Sequence, residues 1–204
     1  CKGEWEAAIS CNEKAARGYR EECHDITWEL GSVYAWCSLP VLCYSGRLNE
    51  LRTMVGQVER EFGQLNDLYT LVTMRTVVTP WLALADGDPV RAEKDSADAV
   101  ASWSKEHWHL QHLFARMAAA RAALYQGQGG KAWELLNECW PRYTSAMQHL
   151  LQNKRMFMTD LRGQAGIMAI LNGDLPSSEL YRVERDVRKL EAEKTPWAAA
   201  YALS

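Results

Sequence analysis

The sequence predicts an all-α fold, an α-solenoid of antiparallel helix pairs winding into a superhelix with about nine to ten helices, and three observations predict it. A glycine turn recurs at Gly3, Ser45-Gly46-Arg47, Asp86-Gly87-Asp88, Gln126-Gly127-Gln128 and Asn172-Gly173-Asp174, at intervals of 43, 41, 40 and 46 residues. A few residues after each turn a small or aliphatic side chain opens an amphipathic segment: Ala7, Leu51, Ala92, Ala132 and, less neatly, Leu180. Between the turns the apolar residues keep helical spacing, as in Ala132, Leu135, Leu136, Cys139, Trp140, Tyr143 and Met147.

Each glycine is taken as the corner of a helical hairpin, with an A helix before it and a B helix after it. The first B helix is expected over 5–18, followed by A over 22–44 and B over 47–62. A third A helix covers 67–85, B covers 89–103, and a fourth A covers 107–125. B from 131 runs into the Trp140-Pro141 step, A spans 147–171, B spans 178–194, and a last A helix begins at Trp197. Asp88-Pro89 and Thr195-Pro196 each offer an N-cap side chain followed by a proline at the first helical position, where the missing N–H costs nothing. Pro40 and Pro80 lie six and seven residues before their glycines, which predicts a kink at the same point of two successive A helices.

The 67–85 segment carries Leu68, Leu71, Val72, Val78 and Leu82 on one side and Met74, Val77, Trp81 and Leu84 on another, the pattern of a rod wedged between neighbours. In 178–194 the stripe is narrow (Leu180, Val183, Val187, Leu190), and Glu184, Arg185, Asp186, Arg188, Lys189, Glu191 and Glu193 are expected to cover it with a solvated face. The array is expected to be one continuous unit over 1–204, cut from a longer chain.

A hydrophobic fraction of 48%, with 13 glycines and 6 prolines in 204 residues, suits a helical core better than a loop-rich β fold or a disordered chain. The net charge of −3 gives no electrostatic reason to bind nucleic acid or anionic lipid. The six cysteines (Cys1, Cys11, Cys23, Cys37, Cys43, Cys139) are irregularly spaced and read as reduced, mostly buried thiols of a cytoplasmic protein. The longest nearly apolar run, 33–44, is interrupted by Ser38 and Pro40 and is too short to span a bilayer, so neither export nor membrane insertion is expected. Most of the nine tryptophans are expected in the core or at its edge.

The densest cluster of titratable groups is Glu106-His107-Trp108-His109-Leu110-Gln111-His112, with His109 and His112 one turn apart. Structural zinc spacings are missing, so packing is the first reading and metal or small-molecule binding the alternative. Glu21-x-x-His24 and Glu106-x-x-His109 match the paired motif of di-iron bundles, but both fall at helix starts or in loops. Gly127-Gln128-Gly129-Gly130-Lys131-Ala132 lacks the preceding strand and the Ser or Thr of a phosphate-binding loop, and no Gly-x-Ser-x-Gly elbow occurs.

Trp81-Leu82-Ala83-Leu84, Gly87-Asp88-Pro89, 99–104 with Trp103, His109-Leu110-Gln111-His112, Ala123-Leu124-Tyr125, and Ala132-Trp133 through Trp140-Pro141 resemble the helical-repeat region of large bacterial signalling proteins. In those proteins a eukaryotic-like serine/threonine kinase or an AAA/STAND-type ATPase domain is followed by tetratricopeptide-like repeats. The resemblance covers 79–171 and implies a cytoplasmic, non-catalytic superhelical scaffold, without cofactor, docking a protein or peptide partner or other domains of the same chain. On the concave face built by A helices the candidate docking residues are Arg75, Trp108, His112, Arg116, Lys154, Arg155 and Arg162, whose long cationic side chains suit an acidic peptide or a C-terminal carboxylate.

Overall fold

A computed structural model describes residues 3–203, and among them every regular element is helical. The contacts divide the chain into two compact units, Glu4–Ser104 and one beginning at Lys105, each described by itself.

In the first unit α1 (Trp5–Glu22) is followed by a long rod. It begins as α2 (Thr27–Ser32), passes through a π-helical stretch (Val33–Ser38) and ends as α3 (Leu39–Tyr44). Then come α4 (Leu48–Gln64), α5 (Leu68–Val77), α6 (Thr79–Ala85) and α7 (Pro89–Ala101). The second unit holds α8 (Leu110–Tyr125), α9 (Gly129–Ser145), α10 (Gln152–Leu171), α11 (Leu180–Ala192) and α12 (Pro196–Leu203), with short 3₁₀ turns at Gln148–Leu150 and Ser177–Glu179.

The two prolines mark the two irregular rods. Pro40 follows the π-helical stretch, and Pro80 follows Val78, whose φ of −114° leaves the helical range and separates α5 from α6. A missing N–H breaks the regular ladder at both sites, which relaxes as a widened turn in one rod and as a break in the other.

All five predicted corner glycines, and no other described glycine, have positive φ, between 73° and 81°. The four corners that follow a helix are built alike. The glycine N–H donates to the carbonyl three residues back (Gly46 to Cys43, Gly87 to Leu84, Gly127 to Leu124, Gly173 to Ile170). The next N–H donates to the carbonyl five back (Arg47 to Leu42, Asp88 to Ala83, Gln128 to Ala123, Asp174 to Ala169). This pair of bonds satisfies the helix's last carbonyls and requires a left-handed residue, which glycine adopts without a Cβ clash.

A second series of left-handed residues lies at the opposite ends of the rods: Asp25, Asn66, Met147 and Lys194, with φ between 52° and 55°. Asn66 closes α4 by the same two bonds, to Gly63 and Phe62. The capping expectations hold too: the Asp88 side chain accepts from Arg91 N–H at 2.9 Å, and Thr195 Oγ1 accepts from Ala198 N–H at 3.1 Å.

Bonds between residues about one period apart tie neighbouring hairpins within each unit. Arg47 reaches Glu6 and Arg20 reaches Glu61, each across 41 residues. Gly130 N–H donates to Asp174 Oδ2 across 44, and Asn172 Nδ2 donates to the Gly127 carbonyl across 45. The core of the first unit gathers Leu30, Leu39, Leu51, Val58, Phe62, Met74 and Val78. In the second unit Leu113, Met117, Leu136, Tyr143 and Met158 are fully buried, and α12 closes over Met156 and Leu190.

Several side chains depart from expectation. Asp186, expected on the solvated face of α11, is 1% exposed, because it falls on the same helical stripe as Val183 and Leu190. Met147 is not the end of the α9 stripe but a left-handed, 64% exposed residue beyond the helix. α9 runs through Pro141, which is exposed, to Ser145. Of the described cysteines only Cys139 is buried; Cys11, Cys23 and Cys37 are exposed, Cys43 is half-buried, and Cys1 lies outside the described residues. Of the tryptophans only Trp133 is fully buried and Trp28 is exposed; the other seven sit half-buried at the edges of helix contacts. The rod Leu68–Ala85 is, among the described residues, the one helical segment long and apolar enough to cross a membrane, and half of it is packed inside the first unit.

Candidate interaction site

The seven predicted docking residues separate into two groups. Arg75 belongs to the first unit, on α5, where its Nε and NH2 donate to Glu59 Oε1 on α4 at 3.1 and 2.9 Å. Arg155 on α10 donates to both carboxylate oxygens of Glu193 and, at 2.8 Å, to the His149 carbonyl. Arg162 is buried and forks onto Asp186 at 2.7 and 2.6 Å, its guanidinium carbon 3.5 Å from the centroid of the Trp140 ring. These three arginines have carboxylate partners and tie neighbouring helices together.

Lys154 lies in the first turn of α10. It is buried, with Nζ 4.4 Å from the Phe114 centroid, and burial pushes its pKa down to about 8.

Trp108 and His112 do come together, and Arg116 follows one turn along α8. Trp108 precedes α8, and its ring stacks on that of His112 in the first turn with centroids 5.4 Å apart. Arg142 joins them from α9, its guanidinium 5.5 Å from the Trp108 centroid. Arg116 and Arg142 are exposed, and among the described residues neither forms an ion pair.

α8 begins at Leu110 rather than at 107 for a local reason: His112 Nδ1 accepts from the His109 backbone N–H at 3.0 Å, folding the side chain back over the helix start. A ring nitrogen that accepts a bond carries no proton, so the other nitrogen, Nε2, carries the hydrogen. Burial, and then the nearby His109 and Arg142, lower the His112 pKa and keep the ring neutral at pH 7.

Beside this group four buried polar atoms lack a hydrogen-bond partner among the described residues: Trp108 Nε1, Tyr143 Oη, Gln148 Oε1 and His149 Nδ1. Their residues adjoin one another, since Gln148 Nε2 donates to the Trp108 carbonyl at 3.4 Å and the Tyr143 and His149 rings meet at 6.1 Å. Burial raises the Tyr143 pKa to about 12. In the same place the 3₁₀ turn exposes Met147, Leu150 and Leu151.

His107, His109 and His112 are neighbours, with ring separations of 6.3 and 5.7 Å. Among the described residues no three His, Cys, Asp or Glu side chains converge closely enough to hold a metal ion, the Glu21-His24 and Glu106-His109 pairs included. A cavity of about 580 Å³ lies elsewhere, between the Gly127 and Gly173 corners, lined by Lys131, Trp133, Glu134, Asn172 and Asp174 among others.

Sequence reasoning missed Arg142, Tyr143 and the 148–149 turn. The available signal was charge: residues 4–104 carry 9 Lys and Arg against 16 Asp and Glu, whereas 105–204 carry 13 against 10. Comparison with protein-family models, with curated proteins and with solved structures gives no match to this chain.

Proposed function

We propose that the chain is a non-catalytic interaction scaffold that docks a protein or peptide partner on the Trp108–His112–Arg116 side of α8. The repeated corner supports this reading most: the same two backbone bonds close four helices at a period of about 40 residues, the build of stacked hairpins that present side chains along a face. The resemblance of 79–171 to the repeat region of signalling kinases and ATPases adds the setting, a cytoplasmic module serving an enzyme domain of a longer chain.

The test is a selection of random dodecapeptides against the purified chain, with hydrogen exchange to locate the selected peptides. Enriched peptides that slow exchange at the start of α8 and the end of α9 support the reading. Absence of enrichment overturns it, and so does stoichiometric zinc or iron in the purified protein, lost when His109 and His112 are replaced.

A further inference from the structure

The geometry points to a phosphate monoester on a partner peptide, a phosphoserine or phosphothreonine, as the group that Arg116 and Arg142 bind with the Nε2–H of His112. The inference rests on the scaffold reading and gives its partner a chemistry.

Four features carry it. Arg116 stands one turn beyond His112 on α8, while Arg142 reaches the same imidazole from α9 and lies 5.5 Å from the Trp108 centroid, so one guanidinium lies beside the ring and the second follows a helical turn along. Both arginines are exposed and without ion pairs among the described residues, whereas Arg155 and Arg162 in the same unit fork onto carboxylates. The hydrogen bond from His109 N–H to His112 Nδ1 leaves Nε2 as a donor, so these three side chains offer donors alone and two full positive charges.

That set fits a dianion with three acceptor oxygens better than a single carboxylate, because each guanidinium can engage a separate edge of the tetrahedral group. The unit is also the cationic half of the chain, with 13 Lys and Arg against 10 Asp and Glu.

The fourth feature favours a peptide over a free anion. Gln148 ties the 3₁₀ turn to Trp108, and that turn exposes Met147 at 64%, Leu150 at 64% and Leu151 at 47%. Apolar surface beside an anion site suits apolar side chains flanking a phosphorylated residue and gives inorganic phosphate nothing.

The test titrates three probes into the full chain: a phosphoserine dodecapeptide with leucines on both sides of the phosphoserine, the same peptide unphosphorylated, and inorganic phosphate. Affinity is read by anisotropy of a label on each peptide, with inorganic phosphate read by competition, and the indole N–H resonance of Trp108 reports the place. The phosphopeptide is expected to bind at least tenfold more tightly than its unphosphorylated form and to shift that resonance. Arg116→Ala and Arg142→Ala are each expected to weaken it about tenfold without changing the melting temperature, and Arg142→Lys to restore part of the loss.

Equal binding of both peptides, or no effect of either arginine substitution, overturns the phosphate assignment. Inorganic phosphate binding as tightly as the phosphopeptide overturns the peptide as its source. Selected peptides that bind this face without phosphate leave the scaffold reading standing and remove only the present assignment, whereas absence of any peptide binding removes both.

Discussion

Arg162 and Asp186 form a buried, two-bonded ion pair that fastens α10 to α11, with Lys189 adding a third contact to the same carboxylate at 3.2 Å and Trp140 lying against the guanidinium. Burial pushes the Arg162 pKa below its ordinary value, and the bonds to Asp186 oppose that. Both side chains read as surface groups in the sequence, yet each takes its partner into the interior. A buried charge is tolerated there because the carboxylate accepts from Arg162 Nε and NH2 and from Lys189 Nζ.

The pair predicts an asymmetric mutational response. Asp186→Ala strands a buried guanidinium and is expected to lower stability by about 3–5 kcal/mol in urea denaturation. Arg162→Met combined with Asp186→Leu is expected to recover most of that loss. A double variant as unstable as the single one contradicts the assignment.

Lys154 predicts a stabilising substitution and a pH dependence. Its folded pKa of about 8 lies below its ordinary value of 10.5, so folding favours the neutral amine. The contribution is complete above pH 10.5 and is lost as pH falls toward 8, which leaves the folded protein bearing the cost of a buried charge at pH 7. Lys154→Met, similar in shape and uncharged, is expected to raise stability at pH 7 by about 1–3 kcal/mol. The gap between variant and wild type is expected to narrow as pH rises from 8 to 10, measured by denaturant titration at each pH.

His112 predicts a loss on the acid side. Its folded pKa is lowered, so its stabilising contribution is present above the unfolded value near 6.5 and disappears as pH falls below it. Protonation places a proton on Nδ1, where the His109 N–H now bonds, and sets a positive charge beside His109 and Arg142. The melting temperature of wild type is expected to fall faster between pH 7 and 5 than that of His112→Gln, and parallel curves contradict this.

The second series of corners predicts opposite signs at two kinds of residue. Met147 holds a left-handed conformation that costs a side-chain-bearing residue about 1 kcal/mol, so Met147→Gly is expected to be neutral or to stabilise by about that amount. Gly129→Ala is expected to destabilise by several times as much, because a Cβ there meets the Ala169 backbone nitrogen at 2.4 Å. Thermal denaturation of the two variants checks both signs.

The glycine period was legible because a left-handed residue after a helix leaves a one-letter mark: each of Gly46, Gly87, Gly127 and Gly173 closes its helix as the spacing predicts. The corners at the other ends were not legible, because Asp25, Asn66, Met147 and Lys194 do the same work with four different residue types. Helix starts shifted where side chains rather than spacing decide them, as His112 does at Leu110. For the site, the placing of His112 and Arg116 one turn apart on α8 was readable from spacing by four. That Arg75, Arg155 and Arg162 are spoken for was not, since their carboxylates lie 16, 38 and 24 residues away in sequence. Arg142, coming from the next helix, is a tertiary fact with no local signature.

The central claim is that the glycines occupy equivalent left-handed joints, and mirror-image alanines test it directly. At Gly46 and Gly127 the Cβ of an L-residue meets nothing within 4 Å, so backbone conformation alone opposes L-alanine there. In semisynthetic protein, D-alanine at either position is expected to match or exceed glycine in melting temperature, because it favours positive φ and narrows the unfolded ensemble, while L-alanine lowers stability by about 1–2 kcal/mol. Equal melting temperatures for the D and L forms at both corners would contradict the joint, and with it the repeat.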